Sequence, residues 1–143
     1  GVIYSHLKNY EKSIEFYKKA LNLDEDSSVA HNNLANVYNK VNPNEAESHY
    51  LKVIELTPND PMPYINISNH YLQNTKYKKC VSILESALSK SIEAKELYNN
   101  LGIAYLATKE NAKSRSMFEL ALKIDSNYKP ALDNLNNLSA IKH

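Results

Sequence analysis

Asparagine recurs at Asn33, Asn66, Asn100 and Asn134, at separations of 33, 34 and 34 residues. A carboxamide carries two N–H donors and a carbonyl acceptor, the complement that an extended peptide main chain also presents, so a row of amides can bind a backbone without reading its side chains. Asparagine is a poor residue for a helix interior, because its amide competes with the backbone. Each of the four directly precedes an apolar residue, Leu34, Ile67, Leu101 or Leu135, and lies about 100° from it around a helix of 3.6 residues per turn. That rotation turns the amides away from the helix pair. Asn32, Asn36, Asn69 and Asn99 flank the row, together with Val29, Met62, Ile65, Glu96 and Ile103. Charge is nearly absent there, and the chemistry expected of such a surface is recognition of an uncharged, extended segment. Asparagine is also abundant elsewhere, as at Asn9, Asn44 and Asn127, so the row competes with a purely compositional origin.

The remaining reactive residue types point to structure. His6, His31, His49, His70 and His143 show no HExxH or Cys/His ligand spacing, so no metal and no cofactor are expected. His31 takes the position occupied by Tyr64 and Tyr98 one and two periods later, which assigns it to packing. Cys80 falls among small residues and reads as a buried spacer, not a reactive thiol. Asp24, Glu25 and Asp26 read as a solvated turn. Lys76, Lys78 and Lys79 form a small basic cluster that could serve as a docking patch. Asn66-Ile-Ser68 and Asn137-Leu-Ser139 match glycosylation acceptors but fall inside expected helices, and neither is assigned. No catalytic residue is expected.

The elements that must hold the asparagine row are legible as a repeat. Tyr4, Tyr38, Tyr71 and Tyr105 are separated by 34, 33 and 34 residues. Ala20, Val53, Ala87 and Ala121 keep the same period, as do Ser13, Ala46, Cys80 and Ser114, and Gly1, Ala35, Ser68 and Gly102. Helices pack closely only where a side chain is nearly absent at the crossing, which is why small residues recur in register. The stretch from Glu96 to Ser126 is clearest: Tyr98, Leu101, Gly102 and Tyr105 share one helical face, Ser114, Phe118, Ala121 and Leu122 another, with Thr108 to Asn111 as a polar break. Neither helix could bury its apolar face alone, which is the signature of a stacking unit.

This period and these registers resemble the tetratricopeptide repeat, through Tyr98, Leu101, Gly102, Tyr105, Phe118 and Ala121 above all. The chain departs from that pattern at the closing proline, present only as Pro58 and replaced by Glu25, Ile92 and Ser126. The resemblance implies an all-α fold, a right-handed α-solenoid of antiparallel helix pairs with about nine helices and a C-terminal capping helix. Residues 1–143 would form a single domain: a truncated repeat over 1–27, full repeats over 28–60, 61–94 and 95–128, and a capping helix over 129–143. In detail, Gly1 to Leu7 would end a first helix and Tyr10 to Leu23 form its partner. Ser27 or Ser28 would cap the next helix, Pro43 stand near the start of another, and Lys129 to Lys142 form the cap, apolar through Leu132, Leu135, Leu138 and Ile141.

In such a stack the first helix of each repeat lines the concave surface, which places the asparagines in a groove. There they are similar to the asparagine ladder of O-linked N-acetylglucosamine transferases and to the groove of kinesin light chains. Family members that clamp a terminal carboxylate use Lys and Arg; the corresponding positions here are Asn32, Asn36, Asn66, Glu96 and Asn100, without a cation.

Composition narrows the partners. Lys plus Arg number 17 against 16 Asp plus Glu, and the charges are scattered, so no footprint for nucleic acid or an anionic membrane is expected. No apolar run reaches the eighteen or so residues needed for a bilayer span, and no signal-peptide pattern opens the chain. The single cysteine favours a reducing, cytoplasmic setting. Three readings follow: a non-catalytic scaffold binding an extended segment of another protein in the groove, the substrate-recruiting arm of a larger enzyme such as a glycosyltransferase, or self-association through the truncated first repeat. The third rests on Ile14, Phe16, Tyr17 and Leu21, which include a core face with too little to cover it.

Overall fold

A computed structural model describes the backbone of residues 2–140 and the side chains of residues 7–140. Expectations placed on Gly1, Ile141, Lys142 and His143, and on the side chains of Tyr4 and His6, lie outside what is described. Eight α-helices are present there: α1 (Val2–Leu23), α2 (Ser28–Val41), α3 (Pro43–Leu56), α4 (Pro61–Gln73), α5 (Tyr77–Ser89), α6 (Lys95–Ala107), α7 (Asn111–Ile124) and α8 (Lys129–Ala140). They fall into two compact units, Gly1–Pro63 and Tyr64–His143.

The expected count of about nine helices is reduced by one in the first unit. The tail ending at Leu7 and the partner starting at Tyr10 are a single helix, α1. No glycine or proline interrupts residues 7–10, and Ser13 Oγ donates to Asn9 O at 3.0 Å inside the continuing helix. The other boundaries follow their caps. Ser27 Oγ accepts from Ala30 N at 3.2 Å at the start of α2, and Pro43 opens α3, where its missing N–H costs nothing. α2 and α3 bury Leu34, Ala35, Ala46, Tyr50 and Val53 between them and their neighbours.

In the second unit, α5, α6 and α7 pack in succession and α8 packs on α7 and α6. The small registers lie at the crossings. Ser68, Cys80, Ala87, Ser114 and Ala121 are fully buried. Ser114 Oγ donates to Gly102 O at 2.7 Å, and one period earlier Cys80 Sγ approaches Ser68 O at 3.9 Å. The ring of Phe118 lies directly over Gly102, so close that no Cβ fits between them. Ser13 and Ala20, at the same registers of α1, are only half-buried.

Three helix ends close in the same way. Tyr71 O accepts from Lys76 N at 2.8 Å and Leu72 O from Thr75 N at 3.3 Å; the same pair of bonds recurs around Ser91 and around Lys109. This closure needs a left-handed residue, and Thr75, Ser91 and Lys109 supply it at φ of 56°, 62° and 66°. The turn after α2, where the period is one residue short, has no such residue and passes through Asn42 at φ −153°.

Candidate functional site

Two members of the asparagine row, Asn100 and Asn134, are built into the helix packing of the second unit. Residues 99 and 100 stand about 100° apart around α6, so their side chains reach opposite neighbours. Asn100 Nδ2 donates to Asn69 Oδ1 at 2.9 Å and to Ser68 Oγ at 2.8 Å, both on α4. On the other side, Asn134 Nδ2 of α8 donates to Asn99 Oδ1 at 3.0 Å. Two amide bridges therefore join α4 to α6 and α6 to α8. Asn100 and Asn99 are only 7% and 5% exposed, whereas Asn69 is exposed and Asn66 and Asn134 are half-buried.

The geometry refines the sequence reading. Rotation away from the core residue Leu101 carries Asn100 against the preceding first helix, and both hydrogens of its amino group are spent there. Its partner Asn69 is exposed, and Asn134, which donates to the neighbouring Asn99, is half-buried. Ser68, read from sequence only as a small spacer, is the acceptor that orients Asn100, while its own hydroxyl donates to Ile65 O at 2.8 Å. Its signal was present, because a hydroxyl in a register otherwise held by Ala and Gly can bond across the crossing. Asn32, Asn33 and Asn36 belong to the first unit. Asn32 and Asn33 are half-buried on α2, and the exposed Asn36 accepts from Tyr50 Oη at 2.7 Å. Val29 and Met62, expected as apolar flanks, are both exposed.

Lys95 Nζ lies 2.8 Å from Asp125 Oδ2 and 5.1 Å from the centre of the Tyr128 ring, and this partner holds the Asp125 carboxyl below its ordinary range. Tyr98 Oη donates to Glu93 Oε1 at 2.6 Å; burial first, then the carboxylate, pushes this phenol up to about 12. Cys80 is fully buried and burial pushes its thiol up to about 12, so it packs as a spacer. Thr75, Lys76, Tyr77, Lys78, Lys79 and Thr108 line an open depression of about 430 Å³, which contains the basic cluster. Among the described residues no group of three or more His, Cys, Asp or Glu is gathered to hold a metal, and no helix is long and apolar enough to cross a membrane.

Comparison with known proteins identifies the repeat. Residues 1–42 match the family described as TPR repeat and residues 95–128 that described as Tetratricopeptide repeat; together they cover more than half of the chain. The chain is 27% identical to Protein O-mannosyl-transferase TMTC3 of Mus musculus over 84% of its length, but spans only 15% of that protein. It is 25% identical to the Type IV pilus assembly protein PilF of Pseudomonas aeruginosa over 89% of its length, about half (52%) of that relative. Among solved structures, PilF of Pseudomonas aeruginosa superposes with a TM-score of 0.79 at 23% identity, covering 96% of this chain and 64% of that one. The first TPR of Spaghetti (RPAP3), bound to the HSP90 peptide SRMEEVD, gives 0.72 at 20% identity, with 81% and 93% covered. YrrB, described as a TPR protein with an unusual peptide-binding site, gives 0.70 at 22% identity, with 85% and 63% covered. The shared fold is the all-α solenoid of antiparallel helix pairs. With its 34-residue period, its small-residue crossings and these matches, the chain belongs to the tetratricopeptide repeat family.

Proposed function

We propose that the chain is a non-catalytic interaction module that holds an extended, uncharged segment of a partner protein along the face shared by α4, α6 and α8. The observation that carries this reading is the pair of amide bridges, Asn100 to Asn69 and Asn134 to Asn99. Each bridge immobilises an amide before a ligand arrives, and the ligand would take donors from Asn69 and an acceptor from Asn134. A prepaid rotamer is a gain in affinity, and alternate donors and acceptors match a main chain. Neighbouring helices lie about 8–10 Å apart and an extended chain advances about 3.3 Å per residue. Each step along the face therefore takes about three residues, and the three helices together a segment of roughly six to nine. In this proposal Asn66 adds an amide from α4, and Asn32, Asn33 and Asn36 on α2 are candidate contacts of the first unit taken by itself. The peptide-bound relative RPAP3 and the peptide-binding YrrB support the reading by analogy of fold.

The test is selection from a displayed peptide library by the full chain, followed by affinity measurement on two variants. Asn69→Arg puts a long cation on the face, whereas Ser82→Arg changes an exposed residue of α5. Selected peptides should bind the first at least tenfold more weakly and the second unchanged, with the thermal midpoints of both recorded. Equal binding by Asn69→Arg would remove the face as the site. Self-association remains a reading of the first unit, where Phe16 is 68% exposed; a monomer by light scattering across a broad concentration range would count against it. The likeness to the O-mannosyl-transferase favours a second role, as the recruiting portion of a longer enzyme, and the sequence of the intact gene decides it. A cytoplasmic setting is part of this proposal, resting on the lone buried thiol.

A further inference from the structure

His31 on α2 and His49 on α3 meet nitrogen to nitrogen. Their Nδ1 atoms are 3.0 Å apart and their ring centroids 5.3 Å, and the other nitrogen of His31, Nε2, lies 2.9 Å from Glu25 O. A backbone carbonyl can only accept, so Nε2 of His31 carries a proton. That leaves the proton content of the two facing Nδ1 atoms as the variable. With one N–H per ring, His49 Nδ1–H donates to the bare His31 Nδ1. With one further proton on the pair, one Nδ1–H still points at one lone pair and the bond survives. With both rings charged, two N–H groups and two cations face each other across 3.0 Å, and there is no bond.

The later repeats carry no histidine in this slot. The residues at the same registers are Tyr64 with Ile83 and Tyr98 with Met117, and Met117 packs against the cluster that contains Tyr98. The second repeat has replaced that contact with two titratable rings. The groups facing His49 are His31 and Tyr38 from α2, Lys18 from α1 and Glu45 from its own helix, with the Tyr38 ring stacked at 5.6 Å and 15°. Burial, the charge on His31 and that on Lys18 disfavour a proton on His49, while Glu45 alone favours one, and the net direction is a lowered pKa.

The geometry points to a pH latch: the His31–His49 contact holds α2 and α3 together near neutrality and lets them separate when both rings become protonated. The sign follows from proton binding. A histidine whose folded pKa lies below its ordinary value of 6.5 contributes stability that is fully present above 6.5. That stability is lost as pH falls through the folded pKa, because the unfolded chain takes up a proton which the folded pair refuses. Acidification below pH 6.5 should therefore loosen the second repeat.

Two measurements on the full chain test this. Nitrogen-15 spectra of the imidazoles between pH 8 and 4.5 should show His49 taking its proton at a midpoint below 6.5, and that midpoint should rise in His31→Phe. Thermal midpoints between pH 7.5 and 5.5 should fall more steeply in the wild type than in His49→Phe, which keeps a ring against Tyr38 and removes the proton. His49 titrating at or above 6.5 in the wild type, or the same pH dependence with and without it, would overturn the latch. The wild-type spectra decide the matter even where a variant does not fold.

Discussion

The crossing of α6 and α7 yields the sharpest prediction. A Cβ added at Gly102 would lie 2.5, 2.7 and 3.0 Å from Phe118 Cε1, Cδ1 and Cζ, whereas unstrained carbon atoms sit about 3.5–4.0 Å apart. Phe118 is fully buried, so its ring can give way only if the close-packed core around it moves too. Nor can the helices simply part, because Ser114 Oγ ties α7 to Gly102 O at 2.7 Å. Overpacking of this kind costs about 1–3 kcal/mol, and three ring atoms at or inside 3.0 Å put it in the upper half of that range. Against it stands the gain of roughly 0.8–1.0 kcal/mol from replacing glycine by alanine inside a helix. The clash wins, and Gly102→Ala should lose about 1–2 kcal/mol. Urea denaturation followed by far-ultraviolet circular dichroism reads this directly, and the thermal midpoint should drop on the order of 5 °C. Phe118→Leu, the residue found one period earlier as Leu84, should relieve the clash, so the double variant should lose less than the two single losses added together. A Gly102→Ala chain as stable as the wild type would refute the reasoning, since propensity alone would then govern the site.

Other consequences can be checked with the same assays. Asn100→Ala removes two hydrogen bonds from a nearly buried amide, and should cost about 1–2 kcal/mol in urea denaturation; no measurable loss would mean that the amide bridges do not form in solution. Lys109→Gly relieves a left-handed residue at φ 66° that costs an L-residue about 1–2 kcal/mol, less the extra freedom that glycine gains when unfolded. A net stabilisation of about 0.5–1 kcal/mol is expected, and Thr75→Gly and Ser91→Gly should act in the same direction. Cys80, fully buried with its thiol pushed up to about 12, should resist disulfide exchange reagents at pH 8 in the native chain and react fully in denaturant. Prompt native labelling would show that the crossing of α4 and α5 opens.

The repeat was legible because its determinants are local. A small residue every 33 or 34 positions has one physical use, a close helix crossing, and Ala46, Cys80 and Ser114 are indeed all fully buried. Pro43 and Ser27 mark helix starts through backbone chemistry that needs no distant partner, and they mark them in the structure. The break expected between Leu7 and Tyr10 failed for the converse reason: it was inferred from the period of later repeats, while residues 7–10 contain nothing that stops a helix.

What the sequence determined by itself is the fold class, the period and the identity of the asparagine row. What only the tertiary structure decided is where those side chains spend their hydrogen bonds. Asn99 with Asn134, Asn100 with Asn69, and His31 with His49 are separated by 35, 31 and 18 residues. No helical periodicity encodes which of two neighbouring amides reaches back and which reaches forward. Periodicity reports the face on which a side chain lies, but its partner is set by the distance and rotation between packed helices, which exist only once the chain has folded.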